Sequence, residues 1–195
     1  MTAQASTSQT SLSINDLDAI LGKRPILPNE SSEAYDKLTY QFRVAVDPKD
    51  FIEEILVRDA IDLTWEIQRL KDFKKQLLHS EREGSLKALL LKLLGHGGYD
   101  EKLYKKWQEG DKVAIKSVND FLHEKGLDPS VIDAFSFKAQ LDNIERYDRL
   151  IMQAEARRVA HLREVDRHRV ALAAIMRDTI EAIEDGKTIE HEAKK

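Results

Sequence analysis

The stretch IERYDRLIMQAEARRVAHLREVDRHR, residues 144–169, decides the fold. It carries seven arginines, no lysine, and no glycine or proline to interrupt a helix. At 100° per residue, Ile144, Tyr147, Ile151, Ala154, Leu162 and Val165 fall on one stripe, which Leu172, Met176, Ile180 and Ile183 continue. An amphipathic helix of this length needs another long helix to cover its stripe. The arginines divide on the same wheel. Arg158 and Arg169 lie inside the stripe, whereas Arg146, Arg149, Arg157, Arg163 and Arg167 lie opposite it and form a basic outer face.

The partner stands earlier in the chain, where Lys49 to Glu83 again holds no glycine or proline. Ile52, Ile55, Leu56, Leu63, Ile67, Leu70, Phe73 and Leu77 line one face of it, with Asp59 and Glu66 set among them. Folding the two helices into an antiparallel hairpin predicts the structural ion pairs Asp59–Arg169 and Glu66–Arg158. Arginine suits such a seam because its planar fork binds a carboxylate bidentately and is weakly hydrated. Buried charges of this kind penalise wrong registers more than they add stability. Val57, Ile61, Thr64 and Trp65 give the 49–83 helix a second apolar side, so it is the central element. The 30–46 helix, with Tyr35, Leu38 and Phe42, is its expected cover, and Trp65 and Trp107 read as packing anchors.

The composition agrees with long solvated helices. Of 195 residues, 34% are charged and only 7% aromatic, with eight glycines and four prolines. No alternating run of useful length suggests a strand. The expected class is therefore all-α: a long, coiled-coil-like antiparallel helical hairpin with a buttressing N-terminal helix and a small helical insertion. Residues 1–28 read as a disordered linker with one short helix, INDLDAIL, ended by Gly22. Residues 29–83 hold the N-terminal helix and the first long helix. Asn29, Ser31 or Ser32 caps the former, and Asp47-Pro48 opens the latter. The insertion spans 84–128 and contains six of the eight glycines. The long C-terminal helix spans 129–185, opened by Asp128-Pro129 and closed by Gly186, with 186–195 as a flexible tail.

Several kinds of chemistry are excluded or unsupported. The absence of cysteine removes disulfides and thiolate metal sites. No apolar run is long enough for a membrane span, and the start MTAQASTSQT has no secretory pattern, so a soluble cytoplasmic protein is expected. Among the six histidines no His-Glu-x-x-His or Glu-x-x-His occurs. His161, Glu164 and His168 share a face but make an incomplete ligand set, so no metal is expected. GHGGYD at 95–100 precedes no phosphate-loop Lys-Ser pair, and no nucleophile motif is present. The reading is accordingly no enzyme, no catalytic residue, no cofactor and no small-molecule substrate.

Two sets of residues carry a resemblance. One is Val57, Asp59, Leu63, Trp65 and Glu66. The other is Ile144, Glu145, Arg146, Glu155, Arg157, Arg158, Leu162, Arg163, Glu164, Asp166, Arg167 and Arg169. Together they resemble the signature of an uncharacterised family of bacterial all-helical proteins, over about half the chain. The resemblance implies no activity, cofactor or substrate, but it does tie the two long helices into one pattern.

Two functions from different classes follow as expectations. The first is a non-enzymatic scaffold or adaptor that binds another protein or a second copy of itself as a homodimer. Leu17, Ile20 and Leu21 would serve as a short docking segment that folds on binding. The second is an accessory protein of DNA transactions that grips phosphates through Arg146, Arg149, Arg157, Arg163 and Arg167. A net charge of −4, acidic neighbours such as Glu145 and Glu164, and no aromatic to stack a base weigh against the second.

Overall fold

The computed structural model describes the backbone of residues 14–95 and 100–192, and the side chains of 18–95 and 100–183. Within them run α1 (Ile14–Leu21), α2 (Ser32–Val46), α3 (Phe51–Leu94), α4 (Glu101–Gln108), α5 (Lys112–Glu124), α6 (Val131–Ala139) and α7 (Leu141–Glu192). No strand occurs among the described residues. The chain packs as two compact units. One takes the residues up to Trp65 and those from Glu155 on; the other is Glu66–Ala154. The expected disorder of residues 1–12 and the side chain of Leu17 lie outside what is described.

In the first unit the N-terminal part of α3 packs antiparallel on α7. Asp50 faces His168, Glu53 meets Arg169, and Asp59 lies opposite His161. α2 covers the other side of α3, as its second apolar face requires. Tyr35, Val57, Ile61 and Val165 form the buried cluster, flanked by Leu38, Phe42 and Trp65. The ring of Trp65 meets Tyr35 edge-on at 5.5 Å, and its N–H donates to Glu30 at 2.7 Å. This tryptophan is a packing anchor with its polar atom satisfied.

In the second unit the rest of α3 runs antiparallel to the start of α7, with Lys74 bonded to Asp148 at 2.6 Å. Gln140 bonds Glu81 at 2.8 Å. The insertion helices close on the end of α3 through Leu86, Leu89, Leu90, Val118, Leu122 and Ile132. Trp107 flanks that cluster, and the guanidinium of Arg82 stands 5.9 Å from its ring centroid.

Several boundaries differ from the sequence expectation. Asp47 does not open α3. It adopts φ 50° as the left-handed C-cap of α2, a conformation aspartate tolerates. Asp50 supplies the N-terminal bond instead, accepting from the Glu53 N–H at 2.9 Å. Nor does α3 stop at Gly84; it continues to Leu94, and Gly95 ends it with φ +68°. Burying Leu86, Leu89 and Leu90 outweighs the roughly 1 kcal/mol cost of a helical glycine. Conversely, the expected 129–185 helix breaks at Gln140 with no glycine or proline present. The break lets α6 turn Ile132 into the insertion core while α7 follows α3. Beyond it, α7 runs through Gly186 to Glu192, so glycine does not end the helix there.

Candidate functional site

The seam between α3 and α7 in the first unit is built from charge. Arg169 donates through Nε to Glu53 at 2.9 Å and through Nη2 at 2.8 Å, a bidentate pair. The same Nη2 reaches the Val46 and Asp47 carbonyls at 2.9 and 3.2 Å, so one guanidinium joins α2, α3 and α7. The Glu53 carboxyl is held below its ordinary value, first by Arg169 and against the pull of burial. Burial likewise works to raise Asp50, but the Glu53 N–H and His168, 2.7 Å away, outweigh it and hold it low.

This corrects the predicted ion pairs. Arg169 takes Glu53, not Asp59, and Asp59 lies 3.7 Å from His161. His161 and Arg169 stand eight residues apart, about 12 Å along a helix, so the expected register slid by roughly two turns. Arg158 and Glu66, both half-buried, make no ion pair among the described residues. A heptad stripe admits several registers, and no single register serves both predicted pairs, because Asp59 and Glu66 are seven residues apart and Arg158 and Arg169 eleven.

A second charged cluster binds α1, α2 and α3, and the sequence reading missed it. Arg58, buried inside the first unit, donates to Asp18 at 2.9 Å and to Asp62 at 3.2 Å. The Tyr35 hydroxyl donates to Asp62, and the Arg58 guanidinium stands 5.8 Å from the Tyr35 ring centroid. Arg24 closes the cluster on Asp18 and Asp36. Burial raises the Asp62 carboxyl despite Tyr35 and Arg58, and it drives the Tyr35 hydroxyl far above its ordinary value. The available signal was Arg58 followed at i+4 by Asp62, flanked on both sides by apolar residues. Every member is engaged in holding helices together.

The second unit carries a half-open cavity of about 350 Å³ lined by His79, Arg82, Glu83, Trp107, Asn119 and Ile132. Arg82 Nε lies 2.7 Å from Asp133 as an ion pair but without hydrogen-bond alignment, and Gln108 donates to Glu83 at 2.7 Å. No group of three or more metal-ligating side chains occurs among the described residues. His161 faces Asp59 of α3, His168 faces Asp50 just before it, and Glu164 accepts from Arg167 at 2.8 Å.

Two surfaces of α7 remain uncommitted. The five outer arginines are all exposed. Arg167 pairs with Glu164, but Arg157 and Arg163 in the first unit have no ion-pair partner among the described residues. The same holds for Arg146 and Arg149 in the second unit. The acidic neighbours expected to neutralise the row therefore do so at one position. The other surface is the apolar stripe beyond Arg169, where Leu172, Met176, Ile180 and Ile183 are exposed. In the proposed docking segment Ile20 and Leu21 are also exposed, although Asp18 ties α1 to Arg58.

No helix among the described residues is long and apolar enough to cross a membrane. No family model, curated protein or solved structure matches the chain.

Proposed function

We propose that the protein is a helical scaffold, not an enzyme, that works in the cytoplasm by binding another protein chain along α7. The observation that carries this reading is the exposed stripe of Leu172, Met176, Ile180 and Ile183, which continues the buried seam beyond the start of α3. Contiguous exposed apolar surface of this kind marks interaction sites. The groups with shifted pKa support the same reading, because Glu53, Asp62 and Tyr35 are each locked into contacts between helices. The test is capture from native extract by the wild-type chain and by a Met176→Glu, Ile180→Glu variant. A bound set that depends on the stripe is expected. Identical capture by both chains, or none by either, overturns the reading.

A second reading keeps one specific observation in its favour: exposed Arg146, Arg149, Arg157 and Arg163 carry unneutralised charge. Such residues suit nucleic-acid phosphates. Fluorescence anisotropy with duplex and single-stranded DNA at two salt concentrations tests it. Binding that weakens steeply with salt and disappears in an Arg149→Ala, Arg157→Ala, Arg167→Ala variant favours phosphate contact. No binding at low salt removes it.

A further inference from the structure

We infer that the cavity of the second unit is a binding site for a free α-amino acid, held as the zwitterion with a large apolar side chain. All its walls belong to the unit Glu66–Ala154, so the site is independent of the stripe on α7. α3 presents His79, Arg82 and Glu83 at i, i+3 and i+4, which places them on one face. α5 presents Ile115 and Asn119 at the same i, i+4 spacing, and α4 and α6 close the cavity with Trp107 and Ile132.

Arg82 supplies the cation. Its Nε lies 2.7 Å from an Asp133 oxygen, yet it is buried and donates to nothing. The guanidinium stands 5.9 Å from the centroid of the Trp107 ring, and its two terminal nitrogens make no hydrogen bond among the described residues. The fork is thus held from two sides with its donors unused. A planar carboxylate is the acceptor that fits it.

Glu83 supplies the opposite charge. Among the described residues its carboxylate accepts only from the neutral amide of Gln108, at 2.7 Å. It makes no ion pair with Arg82, although the two are neighbours in one wall. A carboxylate and a guanidinium that line one cavity without meeting leave room for a ligand that carries both charges. A simple anion would face Glu83 and also Asp133, which already shares the charge of Arg82. A simple cation would face the guanidinium. An α-amino acid answers both, with its carboxylate on Arg82 and its ammonium on Glu83.

The remaining walls set the side chain. Trp107, Ile115, Pro129 and Ile132 are apolar and half-buried or buried. His79 and Asn119 make no hydrogen bond among the described residues and can serve the second carboxylate oxygen. The volume of about 350 Å³ lies in the range of small-molecule sites. It equals roughly a dozen waters at about 30 Å³ each, which admits an amino acid the size of phenylalanine.

Titration of the isotope-labelled full chain with L-phenylalanine, followed by the indole N–H resonances, tests the site. One tryptophan lies in each unit, so Trp107 should shift and Trp65 should not. Calorimetry of the same titration should give a dissociation constant of about 1 mM or below. Phenylalaninamide, which lacks the carboxylate, and N-acetylphenylalanine, which lacks the ammonium, should each bind at least about tenfold more weakly. Arg82→Gln should abolish the preference over the amide and keep that over the acetyl derivative, and Glu83→Gln should do the reverse. No shift of Trp107 at ~10 mM phenylalanine overturns the site, and equal shifts of both resonances overturn its location. An amide or acetyl derivative that binds as tightly as phenylalanine overturns the zwitterion. The ligand series on the wild-type chain decides this even if a variant fails to fold.

Discussion

Replacing Arg169 by methionine tests the central seam. The Glu53 side chain is 1% exposed and that of Arg169 37%, so the substitution strands a buried carboxylate beside solvent-accessible space. Breaking a fully buried pair costs about 3–5 kcal/mol. Partial exposure of Arg169 reduces that figure, as does the Lys49 N–H that Glu53 still accepts at 2.8 Å. Loss of the bonds to the Val46 and Asp47 carbonyls adds to it. Together these give about 3 kcal/mol at neutral pH, or a fall in melting temperature of roughly 6–12 °C. The pH dependence supplies a second readout. In the wild type, Glu53 and Asp50 are held low. They therefore contribute stability in full above their ordinary values and lose it as pH falls through the lowered ones. Without Arg169, burial, with Asp50 on the same side, outweighs the Lys49 N–H bond and raises Glu53, so the variant regains stability by protonating. Its deficit is largest near pH 7 and narrows toward pH 4. Urea unfolding followed by circular dichroism at both pH values measures this, and Glu53→Gln with Arg169→Met should recover about half the loss. A deficit below ~0.5 kcal/mol at pH 7, or one that does not change with pH, refutes the reasoning.

The remaining predictions are read in the same unfolding assay. Arg58→Met should cost about 3 kcal/mol, because it leaves Asp62 without its cation and Asp18 with Arg24 alone. Tyr35→Phe keeps the ring on Trp65 and loses only the bond to Asp62, for about 1 kcal/mol. Glu66→Leu should change stability by less than ~0.5 kcal/mol, since Glu66 makes no ion pair among the described residues; a loss of several times that would restore the pairing with Arg158. Ser85→Ala should stabilise by about 0.5–1 kcal/mol, because the buried Ser85 hydroxyl has no hydrogen-bond partner among the described residues and alanine is the better helix former.

Much of the architecture was written in local pattern. Periodicity over 144–183 and 49–83 fixed two long helices, and their apolar stripes required the hairpin. The two-sided character of α3, from Val57, Ile61 and Trp65, required the α2 cover. Ser31, Asp100 and Asp111 cap helices where polar residues precede apolar runs. These features are legible because propensity, capping and amphipathicity act over a few residues at a time. The register between α3 and α7 is different. A stripe repeating every seven residues can slide by whole turns and still bury itself, so the sequence allowed Asp59 opposite Arg169 while the fold sets Glu53 there. Tertiary packing also carried α3 across Gly84, broke the chain at Gln140 and assembled Arg58, Asp62, Tyr35 and Asp18 from three helices. It left Leu172, Met176, Ile180 and Ile183 exposed among the described residues as well. That exposure depends on where α3 starts relative to α7, a relation between residues more than a hundred positions apart, and no local pattern encodes it.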